Sequence, residues 1–166
     1  MIGHEMETTP DRILARGRAF LDLSGRLVER RLAAVFFDGA EISGVVAAVL
    51  AYRNPDGGFG HGLEPDKRCP DSLPIDVDCA LGILLAAVEG IGGRLVDRSY
   101  DLGLDSILDG ACSWLASVAA PNGAVPLSLP VMERYPRAEH WSDWTYAPGL
   151  NPTAGCGLTT NCPPPN

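Results

Sequence analysis

Positive charge is what this chain has least of. Thirteen lysines and arginines stand against 21 aspartates and glutamates in 166 residues, a formal net charge of -8 with a pI near 4.7. Little here neutralises a run of phosphates, so no nucleic-acid partner is expected. The arginines that do cluster (Arg12, Arg16, Arg18, Arg26, Arg30, Arg31) are interleaved with Asp11, Asp22 and Glu29 and read as a solvated helix face. Long hydrophobic runs are missing too. The windows LAAVFF, VVAAVLAY and CALGILLAAV meet Asp38, Glu41 or Glu89 well before the roughly 20 apolar residues that a membrane-crossing helix needs. The start, MIGHEMETTPDR, has no basic region followed by an apolar core, so no secretory leader is expected and the chain is read as cytoplasmic. Five cysteines, an odd number without a CxxC pair, suit reduced thiols better than a disulfide framework, and no zinc-finger spacing occurs. A phosphate loop of the GxxxxGKS type is also missing.

What remains is an ordinary globular composition, 46% hydrophobic, in a chain of one-domain length. Apolar residues recur at helical spacing: Ile13, Leu14, Phe20, Leu21, Leu27, Leu32, then Val45, Val46, Val49, Leu50, then Leu81, Ile83, Leu84, Leu85, Val88. This predicts an all-α chain with helices near 10–23, 25–35, 41–53, 75–89, 101–119 and 151–158. Thr9-Pro10-Asp11 offers a first helix start, Ser43 sits before GVVAAVLAYR, and Asp76 is the expected cap of the helix that Gly90, Gly92 and Gly93 end. A weak internal repeat lays VVAAVLAYRNPDGGFG (45–60) over ACSWLASVAAPNGAVP (111–126), 66 residues later, so that Pro55-Asp56-Gly57 matches Pro121-Asn122-Gly123. Repetition of helix, glycine corner and helix suggests an array in which each unit buries its face on the next.

The segment NPDGGFGHGLEPDKRCPDSLPIDVDC (54–79) holds four glycines, four prolines and six acids. With Tyr52 and Arg53 before it, NPDGGFG resembles the glycine-aromatic corner of the terpenoid cyclase and protein prenyltransferase superfamily. More narrowly, GRLVERRL (25–32), NPDGGFGHGLEPDKR (54–68), PDS (70–72), WLASVAAPNGAVP (114–126) and GLNPTAG (149–155) are similar to bacterial prenyltransferase/squalene-oxidase-repeat proteins. The resemblance implies an α/α toroid over residues 10–155, preceded by a flexible segment (1–9) and followed by an irregular Cys- and Pro-containing tail (156–166). Gly57, Gly58 and Gly60 are expected to permit positive φ and close helix packing, with Phe59 plugging the groove between repeats.

The resemblance also implies a ligand, an isoprenoid or polycyclic lipid precursor, in a central cavity at the N-terminal ends of inner helices. DVDCA (76–80) is similar to the DxDDTA of class II terpene cyclases, which makes Asp78 the candidate general acid with Asp76 beside it; Cys79 and Ala80 depart from that pattern. Glu64, Asp66 and Asp71, with Lys67 and Arg68 offsetting charge, are candidates for holding a diphosphate through magnesium. His61, Asp66 and Cys69 do not match the prenyltransferase zinc set, so zinc is not expected. Trp114, Trp141, Trp144, Tyr135 and Tyr146 are candidate cavity aromatics.

The resemblance implies a closed toroid of about five or six helix pairs, and about three fit this length. Together with the change to CGLTTNCPPPN, this reads as a frameshift or early end near residue 155, with dimerisation through an open toroid end. Two alternatives to an isoprenoid enzyme follow: a non-catalytic helical-repeat binding module, or a truncated inactive remnant.

Overall fold

The computed structural model describes residues 9–90, 102–142 and 145–154. The expected tail over 156–166, nearly all of the 1–9 segment, Trp144 and the last residues of the sixth predicted helix lie outside them. The chain is mostly helical, as its periodicity predicts: α1 Pro10–Ser24, α2 Leu27–Asp38, α3 Ser43–Leu50, α4 Pro74–Gly90 and α5 Leu104–Val118, with residues 150–154 helical again. Two short antiparallel strands, β1 Val125–Pro126 and β2 Pro148–Gly149, pair Val125 with Gly149 and Pro126 with Pro148.

Local chemistry sets the helix ends. Pro10 opens α1 where its missing N–H is harmless, and Gly39 closes α2 in the left-handed region at φ 65°, letting Ala40 N–H bond the Ala34 carbonyl. The helix predicted over 41–53 stops at Leu50, because Tyr52 and Arg53 turn into the corner: Gly60 N–H bonds the Tyr52 carbonyl and Arg53 bridges Phe59. Asp76 is not the cap of α4. The helix begins two residues earlier at Pro74, and the Leu73 carbonyl accepts from the N–H groups of Asp76 and Val77.

The core is built where α2, α3 and α4 pack on one another, with α5 added against α4. Val28, Val35, Val45, Val49, Phe59, Leu81, Ala111 and Trp114 are buried in this one cluster. Helix α1 contributes nothing to it. It is tied to α2 by Arg18, which donates to the Ala33 carbonyl at 3.0 Å, pairs with Asp38 and lies 5.8 Å from the Phe37 ring centre. A second, smaller cluster of Cys69, Leu73, Met132 and Trp141 fills the space between the two long loops, 54–73 and 127–142. These loops are laced by Arg68 N–H to the Pro136 carbonyl and Ala138 N–H to the Asp66 carbonyl. Cys112 is disulfide-bonded, which corrects the expectation of reduced thiols throughout; Cys69 and Cys79 are free.

The internal repeat is real at the level of hydrogen bonds. In the first corner Gly57 N–H bonds the Asn54 carbonyl, Asn54 N–H bonds the Gly58 carbonyl, and Gly58 N–H bonds the Asp56 carboxylate. In the second, Gly123 N–H bonds the Ala120 carbonyl, Ala120 N–H bonds the Ala124 carbonyl, and Ala124 N–H bonds the Asn122 side chain. All three of these bonds are reproduced 66 residues on, and the two matching glycines have φ 93° and 81°. Asp and Asn are interchangeable here because both offer a side-chain oxygen two residues ahead of an amide.

The glycines of the first corner serve two different needs. Only Gly57 has positive φ; Gly58 and Gly60 do not, and are required by space alone. A Cβ on Gly58 would lie 2.6 Å from Ser72 and 2.8 Å from Trp114, and one on Gly60 would lie 2.3 Å from the Asp71 carbonyl. Phe59 is fully buried between them. A Cβ on Gly57 would meet the Gly110 carbonyl of α5 at 2.8 Å, whereas one on Gly123 would meet nothing within 4 Å. Gly123→Ala should therefore cost only the backbone term, about 1 to 2 kcal/mol, and Gly57→Ala that term plus a clash, about 3 kcal/mol or more. Equilibrium denaturant unfolding of the two variants measures the difference directly.

Candidate functional site

Lys67 and Asp76 form a buried ion pair at the entrance to α4, Nζ to Oδ2 3.0 Å, with both side chains wholly inaccessible. The approach is oblique and leaves Oδ2 without a well-aligned hydrogen bond. The other oxygen, Oδ1, accepts the Glu64 N–H at 2.8 Å. Burial pushes the Asp76 carboxyl up from its ordinary range, opposed by the Lys67 charge and the Glu64 N–H. Lys67 is the chain's single lysine.

The predicted acids are drawn to separate partners. Glu64 accepts the Cys79 thiol at 3.3 Å, and the Cys79 pKa is pushed up to about 12 by burial first and by that carboxylate second. Asp66 lies 2.8 Å from His140 Nε2, across the loop-to-loop seam. Asp71 is exposed, takes the Cys69 thiol at 3.9 Å, and raises the pKa of the Tyr135 phenol that bonds to it. Arg68 is exposed and reaches back to the Pro65 carbonyl. Asp78 is half-buried on α4. Among the described residues no group of three or more His, Cys, Asp or Glu side chains converges as a cation site. Lys67 does not face a loop mouth, as a ligand-binding role requires, because its charge is spent inside on Asp76.

A cleft of about 580 Å³ opens instead on the far side of the first corner. One wall is apolar: Trp114 and Val118 from α5, Leu129 and Val131 from the second loop, with Pro55 and Pro70 at the rim. The floor is polar: Asn54, Asp56, His61, Asp71 and Ser72. Four of these side chains, all but Asp71, form one chain of bonds. His61 Nε2 meets Asn54 Oδ1 at 2.9 Å, Asn54 Nδ2 donates to Ser72 Oγ at 3.0 Å and to the Pro70 carbonyl at 2.9 Å, and the Ser72 hydroxyl donates to Asp56 Oδ1 at 2.8 Å. His61 holds φ 57°, a left-handed conformation uncommon outside glycine.

Of the residues that the sequence put forward, Asp71 and Trp114 line this cleft, beside Asn54, Asp56 and Ser72, which were not named as ligand-binding candidates. Asn54 stood inside the motif as a corner residue, and Asp56 was counted only as one of six carboxylates between 56 and 78 near a cavity mouth; nothing in the spacing ties either to Ser72, 16 residues beyond Asp56. Of the other predicted aromatics, Trp141, Tyr135 and Tyr146 pack in the second cluster and do not line the cleft. No protein-family model matches this chain, and no curated protein or solved structure matches it significantly.

Two measurements test this electrostatic arrangement. Lys67→Met strands a buried carboxylate and should destabilise the fold by about 3 kcal/mol or more; adding Asp76→Asn to it should restore part of the loss, since the amide oxygen still accepts the Glu64 N–H. Cys69, pushed up to about 11 by burial, and Cys79 favour the neutral thiol in the folded state. Their contribution is complete below the ordinary thiol range and falls as pH climbs towards those raised values. Both thiols should resist a disulfide-exchange reagent at pH 8 in the native protein and react on unfolding.

Proposed function

We propose that this chain is a helical-repeat binding module of the α/α-toroid kind, and that it holds a small amphiphile with an isoprenoid-like tail in the cleft beside its first corner. The observation that carries this reading is the cleft itself: an apolar wall of Trp114, Val118, Leu129 and Val131 facing a hydrogen-bonded polar floor. Pockets that bind small molecules combine such walls with a few fixed polar groups.

Binding is favoured over catalysis by what the acids are doing. Asp76 is committed to Lys67 and to a backbone amide, and neither it nor Asp78, the acid that the resemblance singles out, lines the cleft. Glu64 and Asp66 are engaged by Cys79 and His140, and among the described residues Glu64, Asp66 and Asp71 do not gather into one cation site. The toroid assignment is supported by the repeated corner and by the likeness of NPDGGFG to the superfamily motif.

Isothermal calorimetry with geraniol, a ten-carbon isoprenoid alcohol, tests the reading. Saturable binding is expected, and Val131→Asp, which sets a charge in the apolar wall, should weaken it at least about tenfold. Absence of saturable heat, or binding that Val131→Asp leaves unchanged, would remove the cleft as the site.

A further inference from the structure

We propose that the cleft selects a ligand whose head is a positively charged hydrogen-bond donor, a primary ammonium group on an apolar tail; this rests on the reading of the cleft as a binding site. The argument is one of hydrogen-bond supply. A carbonyl oxygen only accepts, so the bond to Pro70 identifies the nitrogen end of the Asn54 amide. That end donates its two hydrogens to Pro70 and Ser72, which turns Oδ1 towards His61. Since Oδ1 is an acceptor, His61 Nε2 carries the hydrogen. The Ser72 hydroxyl hydrogen is given to Asp56.

Every side-chain hydrogen on the floor is therefore spent within it. What stays open is of one kind. Asp56 uses Oδ1 for both the Gly58 N–H and Ser72, so Oδ2 makes no hydrogen bond among the described residues. The Asp71 carboxylate receives only the Tyr135 phenol and a distant thiol, and keeps accepting capacity. No lysine or arginine lines the cleft.

A ligand head that meets this floor has to bring hydrogens and, facing two carboxylates, positive charge. An ammonium brings three donors and a charge; an alcohol brings one donor and no charge; a diphosphate brings only acceptors and is repelled. The tail lies along Trp114, Val118, Leu129 and Val131, and the indole face adds attraction for a cation.

Three probes sharing one tail separate the heads: geranylamine, geraniol and geranyl diphosphate, titrated calorimetrically into the full chain at pH 7 in metal-free buffer. Geranylamine should bind about tenfold more tightly than geraniol, the factor that one charge-assisted hydrogen bond supplies, with the diphosphate weakest. Asp56→Asn keeps both Oδ1 bonds while turning the open atom into a donor, and should bring amine and alcohol within about threefold of each other. Asp22→Asn, the same charge change on α1, should leave the tenfold preference in place, which separates the cleft from general attraction to an acidic chain. Equal binding of amine and alcohol, tightest binding of the diphosphate, or a preference insensitive to Asp56→Asn overturns the proposal while leaving a tail-binding cleft. No binding of any probe overturns both.

Discussion

A lysine and an aspartate locked together out of water fix the geometry of everything around them. Moving either charge away from the other in so dry a place is expensive, so the loop that carries Lys67 and the first turn of α4 that carries Asp76 cannot slide independently. Asp76 extends the restraint by accepting the Glu64 N–H, and Arg26 extends it further by donating to the Gly62 and Leu63 carbonyls from the start of α2. A stretch rich in glycine and proline, which composition alone marks as pliable, is thereby held against two helices. The Ser72 hydroxyl and the Pro70 carbonyl that complete the cleft floor sit on that same held loop.

The two corners illustrate how a fold reuses a local solution. Both take the chain out of an apolar helix through one left-handed glycine and three hydrogen bonds, and they differ in what presses on them. The first is squeezed against α5, so Gly57, Gly58 and Gly60 all lack room for a side chain; the second is open at Gly123. The bonds are repeated because they are local, while the crowding differs because the neighbours do.

That division also marks how far the sequence could be read. The helices and the repeat were legible because helical spacing and a Pro-Asx-Gly run are short-range signals, down to the glycine pair 66 residues apart. The role of Asp76 was not, since its partners Glu64 and Lys67 come from a different segment and no periodicity announces an inward-facing lysine. The acids from Glu64 to Asp71 looked like one cluster along the chain, yet the loop turns their carboxylates to different neighbours. The cleft was half legible: Asp71 and Trp114 were candidates, but Asn54, Asp56 and Ser72 act together only after the corner has folded Ser72 back onto them. Cys112 likewise gave no local sign of its disulfide.

Because the only lysine of the chain is sealed against Asp76, the folded protein presents no ε-amino group at its surface. Side-chain acetylation, ubiquitin attachment and amine-directed crosslinking all need that group exposed. In its native form the molecule is closed to this whole class of chemistry at every side chain, and becomes open to it at one position only when the entrance to α4 comes apart.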